Sequence, residues 1–198
     1  MTAARTRTPS AEVRADLLAA AGRILEAEGA GALSVRRIAA EAHVAPMGVY
    51  NHFDGKHGII EALWVEGFER LRAVLEAVRA LDDPAEVLVE GCRRYRVLAL
   101  EHPGTYRIMF LGGIPGFEPT PDAAWSSALA FEALVANVRR AMDAGAIVAG
   151  DQVQTAQVIW AAVHGWVSLE LDGLVFLSDA EGGAEAMART LIGGFRPA

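Results

Sequence analysis

The sequence predicts an all-α fold of about nine helices: three near the N-terminus, then a long fourth leading into a helical bundle. Three observations carry this. Apolar residues recur at three- and four-residue spacing through most of the chain, the period of a helix with one buried face. Alternating β-branched runs joined by hairpin turns, the mark of strands, are missing. Gly, Pro and Asp punctuate the periodic stretches where helices should start and stop.

The first helix is expected after Pro9-Ser10, with Ser10 as its N-cap and a stripe of Val13, Leu17, Ala20, Ala21, Ile24 and Leu25. Gly29 and Gly31 end it. Ser34 can cap a short second helix bearing Val35, Ile38, Ala39 and Ala42. After a tight break at His43-Val44, Pro46 suits the first turn of a third helix, where its missing N–H costs nothing. That helix runs to about Phe53, and Asp54-Gly55 breaks the chain again, with Asp54 able to cap. The long fourth helix carries Ile60, Leu63, Trp64, Gly67, Leu71, Leu75 and Val78. Asp82-Asp83-Pro84 is the clearest break; a helix then reaches His102-Pro103 and a short one reaches Phe110. Gly112 to Pro121 is too rich in Gly and Pro for anything but loop. Asp122 opens a helix to about Ala144, Asp151 another to about Leu171, and the last spans about Asp179 to Gly193.

Composition narrows the function classes. The chain is 53% hydrophobic, enough for a sizeable core. No apolar stretch of about 18 residues lacks charge, so no membrane span is expected. Residues 1–10 carry Arg5 and Arg7 and are followed by Glu12, Arg14 and Asp16 rather than an apolar run, so they do not read as a secretory signal. The single cysteine, Cys92, excludes an intrachain disulfide and reads as a small buried residue in a reducing cytoplasm. Neither a Ser/His/Asp arrangement nor a phosphate-loop signature points to an enzyme or a cofactor. Cys92, His102 and His164 lack the spacing of a metal site. The net charge of −7 is uneven: residues 1–57 hold seven Lys+Arg against six Asp+Glu, and residues 58–198 hold eleven against nineteen. A near-neutral head on an acidic body is compatible with a DNA-binding head carrying a regulatory body.

Residues 35–54 suggest two crossing helices around a tight turn. Ala39 is small at the crossing, Ile38, Ala42, Val44 and Val49 are apolar at the buried positions, and Tyr50 and Phe53 are placed to lock the third helix to the first and fourth. Spacing alone fits a DNA-binding helix-turn-helix and equally three packed helices without a DNA role. The run from Ser34 to Lys56, SVRRIAAEAHVAPMGVYNHFDGK, resembles the signature of the TetR family of transcription regulators. The likeness lies in the Ile-Ala pair, the turn, the Tyr-x-His-Phe ending and the Lys that opens the next helix. Two departures stand out: His43 occupies a turn position usually held by Gly, and Ala45 a cap position often held by Ser or Thr. His adopts positive φ less easily than Gly, and the lost cap is worth about 0.5–2 kcal/mol.

The resemblance implies roles. Arg36 and Arg37 would contact phosphate or guanine, a base that Arg can pair bidentately. Ala45, Pro46, Met47, Gly48, Asn51 and His52 would form the exposed reading face, with methyl contacts to thymine and close backbone approach at Gly48. Tyr50, His52 and Lys56, with the first N–H groups of the fourth helix, would clamp phosphate. Arg5 and Arg7 could extend into the minor groove.

Residues 1–56 are therefore expected to be the DNA-binding domain and 57–198 a ligand-binding and dimerisation domain. The runs Tyr95–Phe110 and Trp160–Leu171 are similar to a TetR subgroup named for its Trp-His-Gly residues, here Trp160, His164 and Gly165. Trp64, Tyr95, Phe110, Trp125, Phe131, Trp160 and His164 are the expected lining of an apolar ligand pocket, although most aromatics of a bundle serve its core. His164 could bond a ligand or simply sit satisfied in the core, and Gly165 would let another helix approach. The resemblance further implies a homodimer through the last two long helices, with stripes Val153, Ala156, Ile159, Trp160, Val163, Val167 and Leu171, and Met187, Leu191 and Ile192. The partners expected are double-stranded operator DNA and a small, mostly apolar effector that swings the fourth helix to release a repressor. An architectural DNA-binding protein, or a helical binding protein or enzyme with a silent head, would show the same periodicity.

Overall fold

The structure, a computed structural model, describes residues 10–110, 112 and 114–197. Among the described residues it contains nine α-helices and no strand. They are α1 (Ser10–Glu28), α2 (Val35–Glu41), α3 (Pro46–Phe53), α4 (Lys56–Ala77), α5 (Pro84–Glu101), α6 (Pro103–Phe110), α7 (Pro121–Asp143), α8 (Gln152–Leu171) and α9 (Ala180–Gly194), with 3₁₀ turns at Ala30–Ala32 and Val78–Ala80.

Helix starts follow side-chain chemistry. The Ser34 hydroxyl accepts the Arg37 N–H at 3.2 Å and starts α2. Asp83 accepts the Ala85 N–H at 2.8 Å with Pro84 in the first turn of α5. Asp151 and Asp179 do the same for α8 and α9. Each bond satisfies a backbone donor that the first helical turn leaves orphaned. Two starts differ from expectation. Ser10 is already helical rather than flanking, and α7 opens at Pro121, with the Thr120 hydroxyl rather than Asp122 accepting the Ala123 N–H at 3.3 Å.

The described residues fall into two compact units. The first takes the described residues of Met1–Gly67 and Gly104–Ala123. Its core is Leu17, Ala20, Ala21, Ile24 and Leu25 from α1, Ile38 and Ala39 from α2, Val49 and Phe53 from α3, and Ile59, Ile60, Leu63 and Trp64 from α4. Val13, at the start of the α1 stripe, is only half-buried. This unit extends well past residue 56 because α6 is fastened to it. The Glu26 carboxylate of α1 accepts the Gly104 N–H (2.7 Å), the Thr105 N–H (3.0 Å) and the Thr105 hydroxyl (2.8 Å), capping α6 from another helix. A Cβ on Gly104 would lie 2.6 Å from the Leu25 carbonyl oxygen, so only glycine allows that approach. A Cβ on Gly67 of α4 would likewise meet the Thr105 and Met109 side chains at 2.9 and 2.5 Å.

The second unit takes Phe68–Pro103 and the described residues of Ala124–Ala198. Its α5 packs against α8 and α9. Asn137, 2% exposed, donates to the Leu75 carbonyl (2.9 Å) and accepts from Arg79 Nε (2.6 Å), so its burial leaves no polar atom stranded. Arg140 donates to the Arg79 and Leu81 carbonyls at the end of the α4 run. A bidentate pair, Arg96 with Glu170 at 2.7 and 2.6 Å, joins α5 to α8 where both side chains are nearly buried. Cys92 is buried, which pushes its thiol up to about 12 and keeps it protonated.

Candidate nucleic-acid interface

In the first unit, α2 and α3 meet across a turn made by a residue with little freedom to make it. His43 has φ +56°, a left-handed conformation that costs a side chain more than glycine. The Val44 N–H returns to the Ala39 carbonyl at 2.9 Å and closes the turn. No side chain caps α3 at Ala45, and Pro46 fills its first position. Asp54, at φ +55°, ends α3 in the same left-handed region, and Gly55 follows at φ +92°. A Cβ on Gly58 would run into the Phe53 carbonyl oxygen, so α4 starts directly against the end of α3.

These constraints fix which way α3 faces. Val49 and Phe53, one turn apart, are buried at 0% and 7% exposure. The opposite face therefore points outward: Ala45, Pro46, Met47, Tyr50 and Asn51 are exposed, and Gly48 and His52 are half-buried. Met47 is 63% exposed, a large apolar side chain held in water on a helix with no charged neighbour of its own. Next to it, the first turn of α4 presents Lys56, half-buried, and His57, exposed, whose ring lies 5.3 Å from that of Phe117. The Thr120 N–H donates to Glu61 at 2.9 Å, so residues 117–120 lie along the first turns of α4.

Two expectations need correction here. Tyr50 does not lock α3 into the core: it is 54% exposed, and its ring lies over Gly55. Phe53, together with Val49, does the locking, with the Arg14 guanidinium 4.7 Å from the Phe53 ring centre. Ala42 and Val44 are half-buried rather than buried, because the turn they flank lies at the surface. Arg37 is not a free cation. It reaches Glu41 at 3.0 Å and Glu28 at 2.8 Å, and Arg23 reaches Glu41 at 3.3 Å. Glu41 and Glu28 hold the Arg37 guanidinium still further into its charged range, while Arg37 and then Arg23 hold the Glu41 carboxyl below the usual carboxylate range. The i,i+4 spacing of Arg37 and Glu41 was the sequence signal for this clamp. Arg36, on the adjacent position, is exposed. Arg5 and Arg7 lie outside the described residues.

The second unit brings together four of the residues expected to bind a ligand. The Tyr95 hydroxyl lies 3.1 Å from His164 Nδ1 and accepts from Trp160 Nε1 at 3.3 Å. The Phe131 ring lies 5.9 Å from that of Trp160. Burial lowers the His164 pKa below its ordinary 6.5, leaving the imidazole neutral at pH 7. The other three do not join this cluster. Trp125 is 65% exposed, and Trp64 and Phe110 belong to the first unit, where Phe110 packs 5.0 Å from Tyr106. A cavity of about 60 Å³ between α5, α8 and α9 is lined by none of the seven. Among the described residues no cluster of His, Cys, Asp and Glu could hold a metal ion, and no helix is long and apolar enough to cross a membrane.

On α8 the exposed face is not the expected stripe, of which Val153 alone is exposed. Ala156, Ile159, Val163 and Val167 are buried within their own unit, as is Ile192 on α9. The face left outward carries Val158, Ala161, Gly165 and Leu169. A Cβ on Gly165 would meet nothing within 4 Å, so among the described residues no helix packs against it.

Residues 17–63 match the family model described as "Bacterial regulatory proteins, tetR family", and residues 88–192 match "Tetracyclin repressor-like, C-terminal domain". The chain is 25% identical over 170 residues to an uncharacterized HTH-type transcriptional regulator, Rv0681, of Mycobacterium tuberculosis, covering 84% of this chain and 74% of that protein. Among solved structures it resembles a protein of unknown function from Rhodococcus sp. RHA1, with TM-score 0.84, 26% identity and full coverage of both chains. It also resembles the TetR transcriptional regulator SCO0520 from Streptomyces coelicolor, with TM-score 0.62, 28% identity and coverage of 93% and 98%.

Proposed function

Because the chain belongs to the TetR family, whose members are DNA-binding transcription regulators that act as dimers, we propose that it is an operator-binding repressor released by a small, mostly apolar effector. The observation that carries this reading is the outward face of α3. A helix pinned by Val49 and Phe53 holds Met47 and Tyr50 in water, an arrangement with no use inside the protein and a direct one in a major groove.

In this reading residues 1–56 read DNA and residues 57–198 pair and respond. Ala45, Pro46 and Met47 offer methyl and methylene contacts to thymine, Asn51 can reach a base edge, and Gly48 lets the backbone close on the DNA. Tyr50, His52, Lys56 and the first N–H groups of α4 hold phosphates and set the register. Arg36 is the second-helix arginine that reaches DNA, while Arg37 stays on Glu28 and Glu41.

The homodimer forms through α8 and α9. Support comes from the exposed Val158, Ala161, Gly165 and Leu169 face, with open space at Gly165 for a second copy. Two-fold pairing would set the α3 helices about 34–36 Å apart, one turn of duplex. The effector binds at the cluster of Tyr95, Phe131, Trp160 and His164, whose rings pack its apolar body and whose linked polar atoms orient one polar group. Its binding shifts α4, the helix shared by reading head and body. A coupling of about 1–3 kcal/mol lowers operator affinity about 5- to 150-fold.

Selection of binding sites from random duplexes tests the reading. An enriched inverted repeat is expected. Recovery of no sequence preference would refute a site-specific regulator.

A further inference from the structure

The α8 face does not stop where α8 stops. The spacing of Val158, Ala161, Gly165 and Leu169 is one side of a helix, and the Leu174 N–H bonds the Leu169 carbonyl at 2.8 Å. Leu174 therefore sits at the end of that stripe, and beyond it come Phe176 and Leu177. Leu174 is 50% exposed, Leu177 56% and Phe176 91%. A phenylalanine almost wholly in water is costly, since its apolar surface gains by being buried.

The segment is also held in place. At one end Gly173, at φ +70°, turns the chain out of α8, and its N–H reaches the Glu170 carbonyl at 3.1 Å. At the other end the Asp179 carboxylate accepts the Gly182 N–H at 2.8 Å. The Leu177 and Trp166 side chains press so closely on Gly183 that a Cβ there would meet them at 2.6 and 2.7 Å. Phe176 thus stands on a tethered turn and needs little ordering before it is buried, the condition under which an aromatic anchor contributes most to binding.

We propose that the α8–α9 connection is part of the interface between two copies of this chain, with Phe176 inserted into the partner copy as its outer anchor. This rests on the α8–α9 pairing proposed above. The occupant follows from position: the exposed apolar Leu174, Phe176 and Leu177 follow in the chain directly on Leu169, at the end of the helix face proposed above to receive a second copy, with Asp172 the one exposed charged residue between Leu169 and Phe176. A helix face four residues long is small beside the roughly 800 Å² per partner that a stable dimer buries, and the connection supplies additional apolar surface.

The test uses the full chain, with sedimentation to measure association and circular dichroism to confirm folding. Phe176 is 91% exposed, so Phe176→Asp should keep its helix content while raising the dimer dissociation constant tenfold or more. Trp125→Asp, at another exposed aromatic, should leave association unchanged. A photo-crosslinking phenylalanine analogue at position 176 should give a covalent dimer. If Phe176→Asp associates as tightly as the unaltered chain while Leu169→Asp separates the copies, the helix pairing stands and the Phe176 anchor is overturned. If the unaltered chain is monomeric at micromolar concentration, both are overturned. Crosslinks from position 176 only to its own chain overturn the anchor.

Discussion

The proposed function places opposite demands on Gly48 from folding and from DNA binding. This residue lies in the first turn of α3, half-buried, with ordinary negative φ. A Cβ there would touch only Val44, at 3.5 and 3.9 Å, which is normal van der Waals contact. Gly48→Ala therefore fits the folded chain without strain, and glycine costs a helix interior about 0.5–1 kcal/mol relative to alanine. With α3 only eight residues long the gain should sit at the lower end. For a chain of this size 1 kcal/mol moves the melting temperature by about 2–4 °C, so the variant should melt roughly 1–4 °C higher. On DNA, in the proposed reading, the same methyl would fill the space through which the backbone approaches the bases. Forcing an extra methyl into a close-packed contact costs about 1–3 kcal/mol, equivalent to about 5- to 150-fold in affinity. Thermal melting and fluorescence anisotropy on a selected operator measure the two effects separately. A variant that melts higher and binds worse is the expected result. Unchanged or tighter operator binding would refute the close approach, and a lower melting temperature would refute the geometry of α3.

Other substitutions separate roles that the sequence leaves together. Arg36→Ala should reduce the salt slope of operator binding by about 1 and leave thermal melting unchanged, whereas Arg37→Ala should lower the melting temperature because Glu28 and Glu41 lose their shared partner. Glu26→Ala, which removes the acceptor of three bonds from the start of α6, should destabilise the protein by about 1–2 kcal/mol in denaturant titration, the range of a lost cap. His164 is neutral when folded and titrates below 6.5, so the unfolded chain binds its proton first as pH falls. Its contribution is intact above 6.5 and declines as pH drops below that value; His164→Phe should flatten this part of the stability–pH curve.

The sequence made helix starts legible because their chemistry is local. Ser34, Asp83-Pro84, Asp151 and Asp179 announce themselves within three residues, and the His43 turn follows from one position in a family pattern. Long-range partners were not legible. Nothing near Glu26 indicates that it caps a helix 78 residues away, which is why the first compact unit reaches past the expected boundary. Which face of α8 is buried within its own unit was not legible, because the helix is apolar on nearly every side. With Val153, Val158 and Leu169 as hydrophobic as Ile159 and Val163, periodicity cannot tell an internal face from an external one. Tyr50 was placed in the core for a similar reason: at this end of α3 its phenol and the Phe53 ring are equally apolar by composition, and only the direction of α4 decides between them.

The central claim is that two copies of α3 read one duplex through a surface that also clamps its backbone. Its most direct test is a titration of the selected operator across 50 to 200 mM salt, with the stoichiometry determined in the same experiment. Two chains per duplex are expected, with an affinity loss of about 10³–10⁵ over that range, as for about 6–10 phosphate contacts. One chain per duplex, or an affinity nearly independent of salt, would contradict it.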